Sequence, residues 1–469
     1  MSASTDRPFS TLPLSAPMLA NLAQLGYEQM TAIQAASLPP ALAGQDLIAQ
    51  AQTGSGKTAA FAIALLHRLD AADSRTQSLV LCPTRELAEQ VTQEIRRLAR
   101  AADNIKVLTL CGGSPMKPQM ESLAFGAHIA VGTPGRVMDH LERGSLDLSA
   151  LNTLVLDEAD RMLDMGFFDD MVAVVKRTPK SRQTLLFSAT YPEDIDKLAQ
   201  QFLRDPKRVE VASAAPAQIR QFAYEVAEEQ RLHAVSTLLN HYRPASTIAF
   251  CNTKRQCDDL VDVLNAQGFV AMALHGDLEQ RDRDQVLIQF ANRSCSVLVA
   301  TDVAARGLDV AQLECVINVE VTPDTEVHTH RIGRTGRAGA EGLALTLASL
   351  DEMGRIGRIE QMQGRETTWG KLDELQPAAG GPLQPAMDTL QILGGRKDKI
   401  RPGDILGALT GEAGFTAAQI GKINVTDFHS YVAVERGIAR EAVKRLSNGK
   451  LKGRKVKVRR MADLASSAA

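Results

Sequence analysis

From residue 47 to about residue 211, short continuous apolar runs alternate with stretches whose apolar positions recur every three or four residues. The runs 46–49, 78–82, 107–110, 128–131, 153–156 and 184–188 read as strands buried on both faces. Segments such as 59–66 and 85–102 read as helices packed between them. Strand and helix in alternation predict a parallel α/β sheet. Residues 212–217, Ser, Ala and Pro among them, read as a linker. The rhythm then restarts, with strand-like runs at 247–250, 270–274, 297–300, 315–319 and 343–347. After an irregular Pro/Gly stretch at 375–385, a third pattern reads strand 389–393, helix 402–409, strands 420–425 and 431–434, helix 439–446 and strand 455–458. That order is the split βαβ plan. The expected division is 1–210, linker 211–217, 218–375, linker 376–386, 387–460 and a tail 461–469.

Composition adds one asymmetry. The net charge of the 469 residues is −2. Residues 386–469 nevertheless carry 16 Lys and Arg against 8 Asp and Glu, and the remainder 37 against 47. A basic module on an acidic body points to a polyanion partner for that module. The six cysteines are scattered without a Cys-x-x-Cys pair, which fits reduced core thiols in a cytoplasmic protein and argues against zinc. The first ten residues have neither a basic start nor an apolar core, and no run approaches the ~20 apolar residues of a bilayer span. The expectation is a cytoplasmic protein without a membrane partner.

The chemistry centres on Ala51-Gln52-Thr53-Gly54-Ser55-Gly56-Lys57-Thr58, set between a strand and a helix. Glycines there turn backbone N–H groups inward, and with the helix N-terminus they cradle a triphosphate. Lys57 is expected to reach the outer phosphates and Thr58 to ligate Mg²⁺. Ala51 stands where the general pattern has its first glycine. Asp157-Glu158-Ala159-Asp160 follows the apolar strand 153–156. Ligands of such sheets lie at the carboxyl ends of the strands. Asp157 is therefore a candidate to help hold Mg²⁺, and Glu158 to orient or deprotonate the attacking water. An acidic surface loop is the alternative.

Together, Asp157-Glu158-Ala159-Asp160 and the phosphate loop resemble the DEAD-box family of RNA helicases, with matching order and spacing over most of residues 9–337. The resemblance implies two RecA-like P-loop NTPase domains, ATP and Mg²⁺ as cofactors, and RNA as partner. It implies adenine recognition by Gln34, within Gly26-Tyr27-Glu28-Gln29-Met30-Thr31-Ala32-Ile33-Gln34, and stacking by Phe9; Met30 replaces the family's usual Pro. Phe9 also fits as a staple on a helix start. Arg85, Gly113, Thr133 and Arg136, then Gln280, Arg283 and Thr301 of the second domain, match RNA-backbone motifs. Arg85 and Arg136 fit structural ion pairs as well. Ser188 and Thr190 match the motif that couples nucleotide to strand separation, and His330 heads His330-Arg331-Ile332-Gly333-Arg334-Thr335-Gly336-Arg337. Arg334 and Arg337 are implied to stabilise the transferring phosphoryl group, with Asp309 as a nucleotide contact on the same side. This arrangement makes sense if both domains close on one ATP, which then forces a strand geometry that a duplex cannot keep.

The third module's plan and charge fit an RRM-like RNA-binding domain. Of the expected aromatic positions only Tyr431 is filled, which argues against base stacking on the sheet face. The basic runs are the better candidates: Arg396, Lys397, Lys399 and Arg401, then Lys452, Arg454 and Lys455. A solvated charged face is the alternative for each. Gly394-Gly395-Arg396-Lys397, Arg401-Pro402-Gly403-Asp404 and Tyr431-Val432-Ala433-Val434 resemble the C-terminal domain of the DbpA-type branch of the family. That resemblance implies a hairpin of large-subunit ribosomal RNA as target, pre-ribosomal particles as partners, and a role in large-subunit assembly. The expected activity is ATP-dependent, RNA-stimulated local melting of short duplexes. An ATP-gated RNA clamp or scaffold and a DNA helicase remain as alternatives.

Overall fold

In the first unit, seven parallel strands run in the order Val107–Leu110, Ile129–Gly132, Ser78–Leu81, Thr153–Leu156, Gln183–Ser188, Leu47–Gln50 and Lys207–Glu210. The computed structural model describes residues 4–51, 54–102, 104–189, 193–211, 219–305, 313–336 and 341–465. Most of the 211–217 linker and the end of the tail lie outside them. The central strands Ser78–Leu81, Ile129–Gly132 and Thr153–Leu156 are buried at every position. Alternate side chains feed two cores: Val80, Cys82 and Val155 pack with the helix Lys57–His67, whereas Leu79, Leu81 and Leu154 pack on the opposite face. Burial on both faces removes the polar alternation of a half-exposed strand, which is why these runs read so clearly.

The strand order has a direct chemical consequence. Leu47–Gln50 and Thr153–Leu156 flank Gln183–Ser188 on its two sides. The phosphate loop, Ser188 and Asp157 therefore leave the carboxyl ends of three successive strands.

The second unit, which begins beyond residue 216, holds another seven-stranded parallel sheet. Its order is Ala271–Leu274, Val297–Thr301, Thr247–Cys251, Cys315–Asn318, Gly342–Ala348, Ile219–Glu225 and Trp369–Gly370. The same unit contains a four-stranded antiparallel sheet, Ile420–Val425, His429–Glu435, Met387–Leu393 and Val458–Arg460, backed by the helices Pro402–Gly407 and Ala439–Asn448. Leu390, Ile392, Val432 and Val434 point into the core beneath those helices.

The opposite face of this small sheet is covered. Thr389 is 2 % exposed; its hydroxyl meets Ser294 Oγ at 2.7 Å and accepts from Asn292 Nδ2 at 3.2 Å. The Met387 N–H donates to the Arg293 carbonyl. Tyr431 is 5 % exposed and accepts from Gln391 Nε2, while Gln391 Oε1 takes Arg459 Nε. The stretch 376–386 has no regular structure, yet it is tied down: Ala378 N–H to Asn240 O, Arg243 Nη1 to Gly381 O and Gln384 Nε2 to Gly268 O.

Some elements differ from the sequence expectation. The last strand is Val458–Arg460 rather than 455–458, because Arg459 and Arg460 find Gln391 and Asp388 across the sheet. The helix expected over 402–409 ends at Gly407 and passes into a wide turn, Ala408–Glu412. The helix expected over 85–102 stops at Leu98. The pairings of Ser4–Pro8 with Gln29–Thr31, and the strands Lys207–Glu210, Ile219–Glu225 and Trp369–Gly370, carry too few consecutive apolar residues to be seen beforehand. All six cysteines are buried and free. Among the described residues no helix is long and apolar enough to cross a membrane.

Candidate functional site

The phosphate loop is shaped by backbone constraints. Gly56 has φ +95°, which an L side chain rarely adopts, and a Cβ there would lie 2.6 Å from Gln34 Nε2. Gln34 Nε2 donates to the Gly56 carbonyl at 3.2 Å, and its Oε1 accepts the Thr31 N–H at 2.9 Å. Thr31 and Gln34 thus close a capping box on the helix Ala32–Leu42. The amide keeps one N–H and one lone pair for a further partner. Beyond the loop, the helix Lys57–His67 starts without a side-chain cap, so its first N–H groups face the loop. Ser55 Oγ is buried and has no hydrogen-bond partner among the described residues. An orphaned hydroxyl beside uncapped helix N–H groups suits an anion.

Lys57 is 5 % exposed, and its Nζ donates to the Ala51 carbonyl at 2.7 Å. Asp157 is 3 % exposed. Burial pushes its carboxyl up to about 7, against the pull of Lys57, and Glu158 and Asp160 push the same way. Glu158 is held in the left-handed region, φ 51° and ψ 53°, which is costly for a side-chain-bearing residue. Its carboxylate is gripped by Arg161, and both side chains are nearly buried. The Asp160 carboxylate accepts the Ala189 N–H at 3.1 Å, and Ser188 Oγ accepts the Asp160 N–H at 3.4 Å. The acidic turn and the Ser188 strand end are thereby locked together.

On the same sheet edge, Arg85 lies against the double glycine; a Cβ on Gly113 would fall 1.9 Å from its Nη1. Arg136 donates to the Ser114 carbonyl at 3.0 Å and to Gln119 Oε1 at 3.3 Å, and it pairs with Asp139 at 3.4 Å. Gln119 is in turn held by the Cys111 carbonyl and by His140 Nε2. Thr133 starts the helix Pro134–Glu142 without using its side chain as a cap. Phe9 is 3 % exposed and packs edge-on to Tyr27 at 6.2 Å, so its ring lies in the core. Met30 is buried in the short strand Gln29–Thr31, where its side chain joins the same core.

In the second unit the centre is Arg331. It is 2 % exposed, forms two bonds to Asp302 at 2.7 Å each, and donates to Asn252 Oδ1 and the Glu320 carbonyl. Its guanidinium also lies 5.2 Å from the Phe250 ring centroid. Asp302, Asn252 and the Glu320 carbonyl are therefore fastened to one side chain, whose backbone leads into the turn carrying Arg334. Arg334 is 7 % exposed and its N–H donates to the Arg331 carbonyl. Gln280 starts the helix Gln280–Ala291 and bonds Asp284, with Arg283 one turn on. His330 and Arg331 stand in the last turn of the helix Thr325–Ile332.

Three family models match the chain: a DEAD/DEAH box helicase domain over residues 31–198, a helicase conserved C-terminal domain over 230–339 and a DbpA RNA binding domain over 389–460. The ATP-dependent RNA helicase DbpA of Escherichia coli (strain K12) is 52 % identical over 455 residues, which is 96 % of this chain and 99 % of the relative. The chain belongs to the DEAD-box family of ATP-dependent RNA helicases. A second relative, the DEAD-box ATP-dependent RNA helicase CshA of Geobacillus kaustophilus, is 41 % identical over 384 residues, 81 % of this chain and 82 % of its own length. Among solved structures, S. cerevisiae Dbp5 bound to RNA and ADP BeF3 matches with a TM-score of 0.72 at 30 % identity, covering 78 % of this chain and 96 % of that one.

Within this helicase, the first unit brings together Gln34, Ala51, Gly54, Ser55, Gly56, Lys57, Thr58, Asp157, Glu158 and Ser188 at one sheet edge. Gln52, Thr53, Thr190, Asp309 and Arg337 lie outside the described residues. Arg396, Lys397, Lys399, Arg401, Lys452, Arg454 and Lys455 are all exposed on the C-terminal module. Sequence reasoning missed Arg331, Arg161 and the Gln119–His140 brace. Arg331 stands three residues before Arg334, the same spacing that links Arg334 to Arg337. Its contacts with Asp302, Asn252 and the Glu320 carbonyl mark it as an anchor, which spacing alone does not show.

His328 is 4 % exposed; burial, then Arg331 and Arg365, hold its imidazole down to about 4. Between about 6.5 and 4 the unfolded chain takes up a proton that the folded one refuses. The second unit therefore loses stability as pH falls through that window, by up to about 3 kcal/mol. We expect His328→Gln to flatten the fall in urea midpoint between pH 7 and pH 4.5. An unchanged pH dependence in the variant would contradict this.

Proposed function

We propose that this helicase melts short RNA duplexes locally, with its C-terminal module directing it to a hairpin of large-subunit ribosomal RNA during assembly of that subunit in the cytoplasm. The observation that carries the enzymatic part is the alignment of the phosphate loop, Ser188 and Asp157 on three successive strands. The orphaned Ser55 hydroxyl and the uncapped Lys57 helix fit a bound nucleotide triphosphate. Thr58 and Asp157 offer a hydroxyl and a carboxylate, the hard oxygen ligands that Mg²⁺ takes. When bound, the cation would neutralise charge on the transferring phosphoryl group.

The roles of the other residues follow from where they stand. Glu158 orients the attacking water once it leaves Arg161. Arg334 stabilises the transferring group as ATP draws the two units closed, and Arg331 holds the turn that presents it. Arg85, Thr133 and Arg136, and in the second unit Gln280, Arg283 and Thr301, contact phosphates, which positions a strand without reading its bases. The ribosomal target rests on the resemblance of residues 390–460 to the DbpA-type domain and on their basic balance.

Two measurements test this reading. Cross-linking of RNA to the intact protein in lysate should recover large-subunit ribosomal RNA; a broad spread of unrelated RNAs would refute the targeting. In a displacement assay on a duplex joined to that hairpin, the strand should be released only with ATP. Binding and turnover without released strand would instead support an ATP-gated clamp. Arg334→Ala should lower RNA-stimulated turnover by roughly 10³-fold or more while ATP still binds; a change below tenfold would remove Arg334 from the reaction.

A further inference from the structure

The sheet face on which RRM-like domains usually stack bases is taken in this protein. Thr389 is held by Asn292 and Ser294, and Gln391 and Tyr431 are buried against each other and Arg459. An exposed aromatic lies elsewhere on the module. Phe428, at the tip of the 426–429 turn, is 61 % exposed. Lys397 places its Nζ 4.3 Å from the ring centroid.

This pair is built into the fold by a close approach of two loops. The N–H groups of Arg396 and Lys397 donate to the carbonyls of Thr426 and Asp427 at 2.8 and 3.0 Å. Ser430 Oγ donates to the Gly394 carbonyl at 2.7 Å. A Cβ on Gly395 would lie 2.3 Å from Thr426 O, so the loops meet only because that residue is glycine. The same basic loop continues to Lys399, whose carbonyl takes Lys452 Nζ at 2.6 Å, and Lys452 also pairs with Asp404 at 3.4 Å. An exposed ring, a cation over it and a basic strip running from Arg396 to Lys452 therefore adjoin on one surface.

We propose that Phe428 is a stacking platform for an unpaired base of the bound RNA, with Lys397 and the Arg396–Lys399–Lys452 strip contacting the flanking phosphates. The proposal rests on the reading that this module binds RNA. Aromatic stacking accepts any base, because each has a π-face, and basic groups beside it hold the backbone. The chemistry selects single-stranded loops or bulges over paired stems, whose bases are already stacked.

The test uses the full chain and a hairpin RNA carrying 2-aminopurine in its unpaired loop, with a blunt duplex of the same length as control. Phe428→Ala should weaken hairpin binding by roughly 5- to 150-fold, the range of one base–aromatic stack, and abolish the quenching of 2-aminopurine. Its salt slope should stay that of the parent, whereas Lys397→Ala should lower the slope by about one. Phe428→Trp should restore affinity and quenching. Duplex binding should be indifferent to position 428. The combined Lys452→Glu, Arg454→Glu and Lys455→Glu variant separates the two levels of the argument. If it weakens binding and Phe428→Ala does not, the platform is wrong and the RNA-binding reading stands. If neither changes affinity, both are wrong.

Discussion

Lys57→Ala is expected to reduce RNA-stimulated ATP hydrolysis by about 10³-fold or more, at the scale that a positioned cation contributes to phosphoryl transfer. The reason is local. Lys57 is nearly buried, leans on the Ala51 carbonyl and is the charge that opposes protonation of Asp157. On the proposed reading, removing it takes away the group that would reach the outer phosphates. It also lets the Asp157 carboxyl rise further, since Lys57 is the charge that pulls it down. The fold should survive, because a buried carboxyl that loses its counter-charge takes a proton rather than staying ionised. RNA affinity through the C-terminal module should also survive, since its basic strip belongs to the other unit. The checks are steady-state ATPase with saturating RNA, and filter binding of the same variant to RNA without nucleotide. Turnover within tenfold of the parent would sink the assignment of this loop.

Arg331→Met is expected to cost the second unit about 3–5 kcal/mol, the scale of breaking a buried ion pair by removing one partner. Met matches much of the volume, so the loss reports charge and hydrogen bonds rather than a cavity. Asp302 would keep its carboxylate beside an apolar chain, and the Glu320 carbonyl and Asn252 would each lose a donor. Asp302 is about a quarter exposed, which places the expected value at the lower end. Lysine should not rescue, because one ammonium cannot reproduce the two-pronged contact with Asp302. Urea unfolding measures the cost, with ATPase as the second readout: stimulation by RNA should fall even where the variant remains folded. A loss below about 1 kcal/mol would show that Arg331 is not the anchor its contacts describe.

The two alternating sheets and the phosphate loop could be read from the chain because their signals are local. A strand covered on both faces, such as Thr153–Leu156, is apolar at every position, and no neighbour is needed to recognise it. A glycine turn between a buried strand and a buried helix carries its chemistry in its own backbone. The acidic turn at Asp157 was legible for the same reason, as was the basic balance of the last module. The edge strands were not. Lys207–Glu210 is three-quarters exposed along its length and owes its existence to the partner Leu47–Gln50.

The sequence by itself thus determined the buried strands with the helices between them, and the family. Tertiary structure decided which of the similar residues does what. Arg331 looks like any other arginine of its motif in the sequence, and only the fold shows it bound to Asp302 and Asn252. Tyr431 fills the one expected aromatic position until Gln391, Asn292 and Ser294 are seen to share its buried face, and nothing in the local pattern singles out Phe428 until Lys397 is found above its ring. The physical reason is that propensity and periodicity act within a few residues of the chain, whereas burial and charge pairing are fixed by segments tens to more than a hundred residues away.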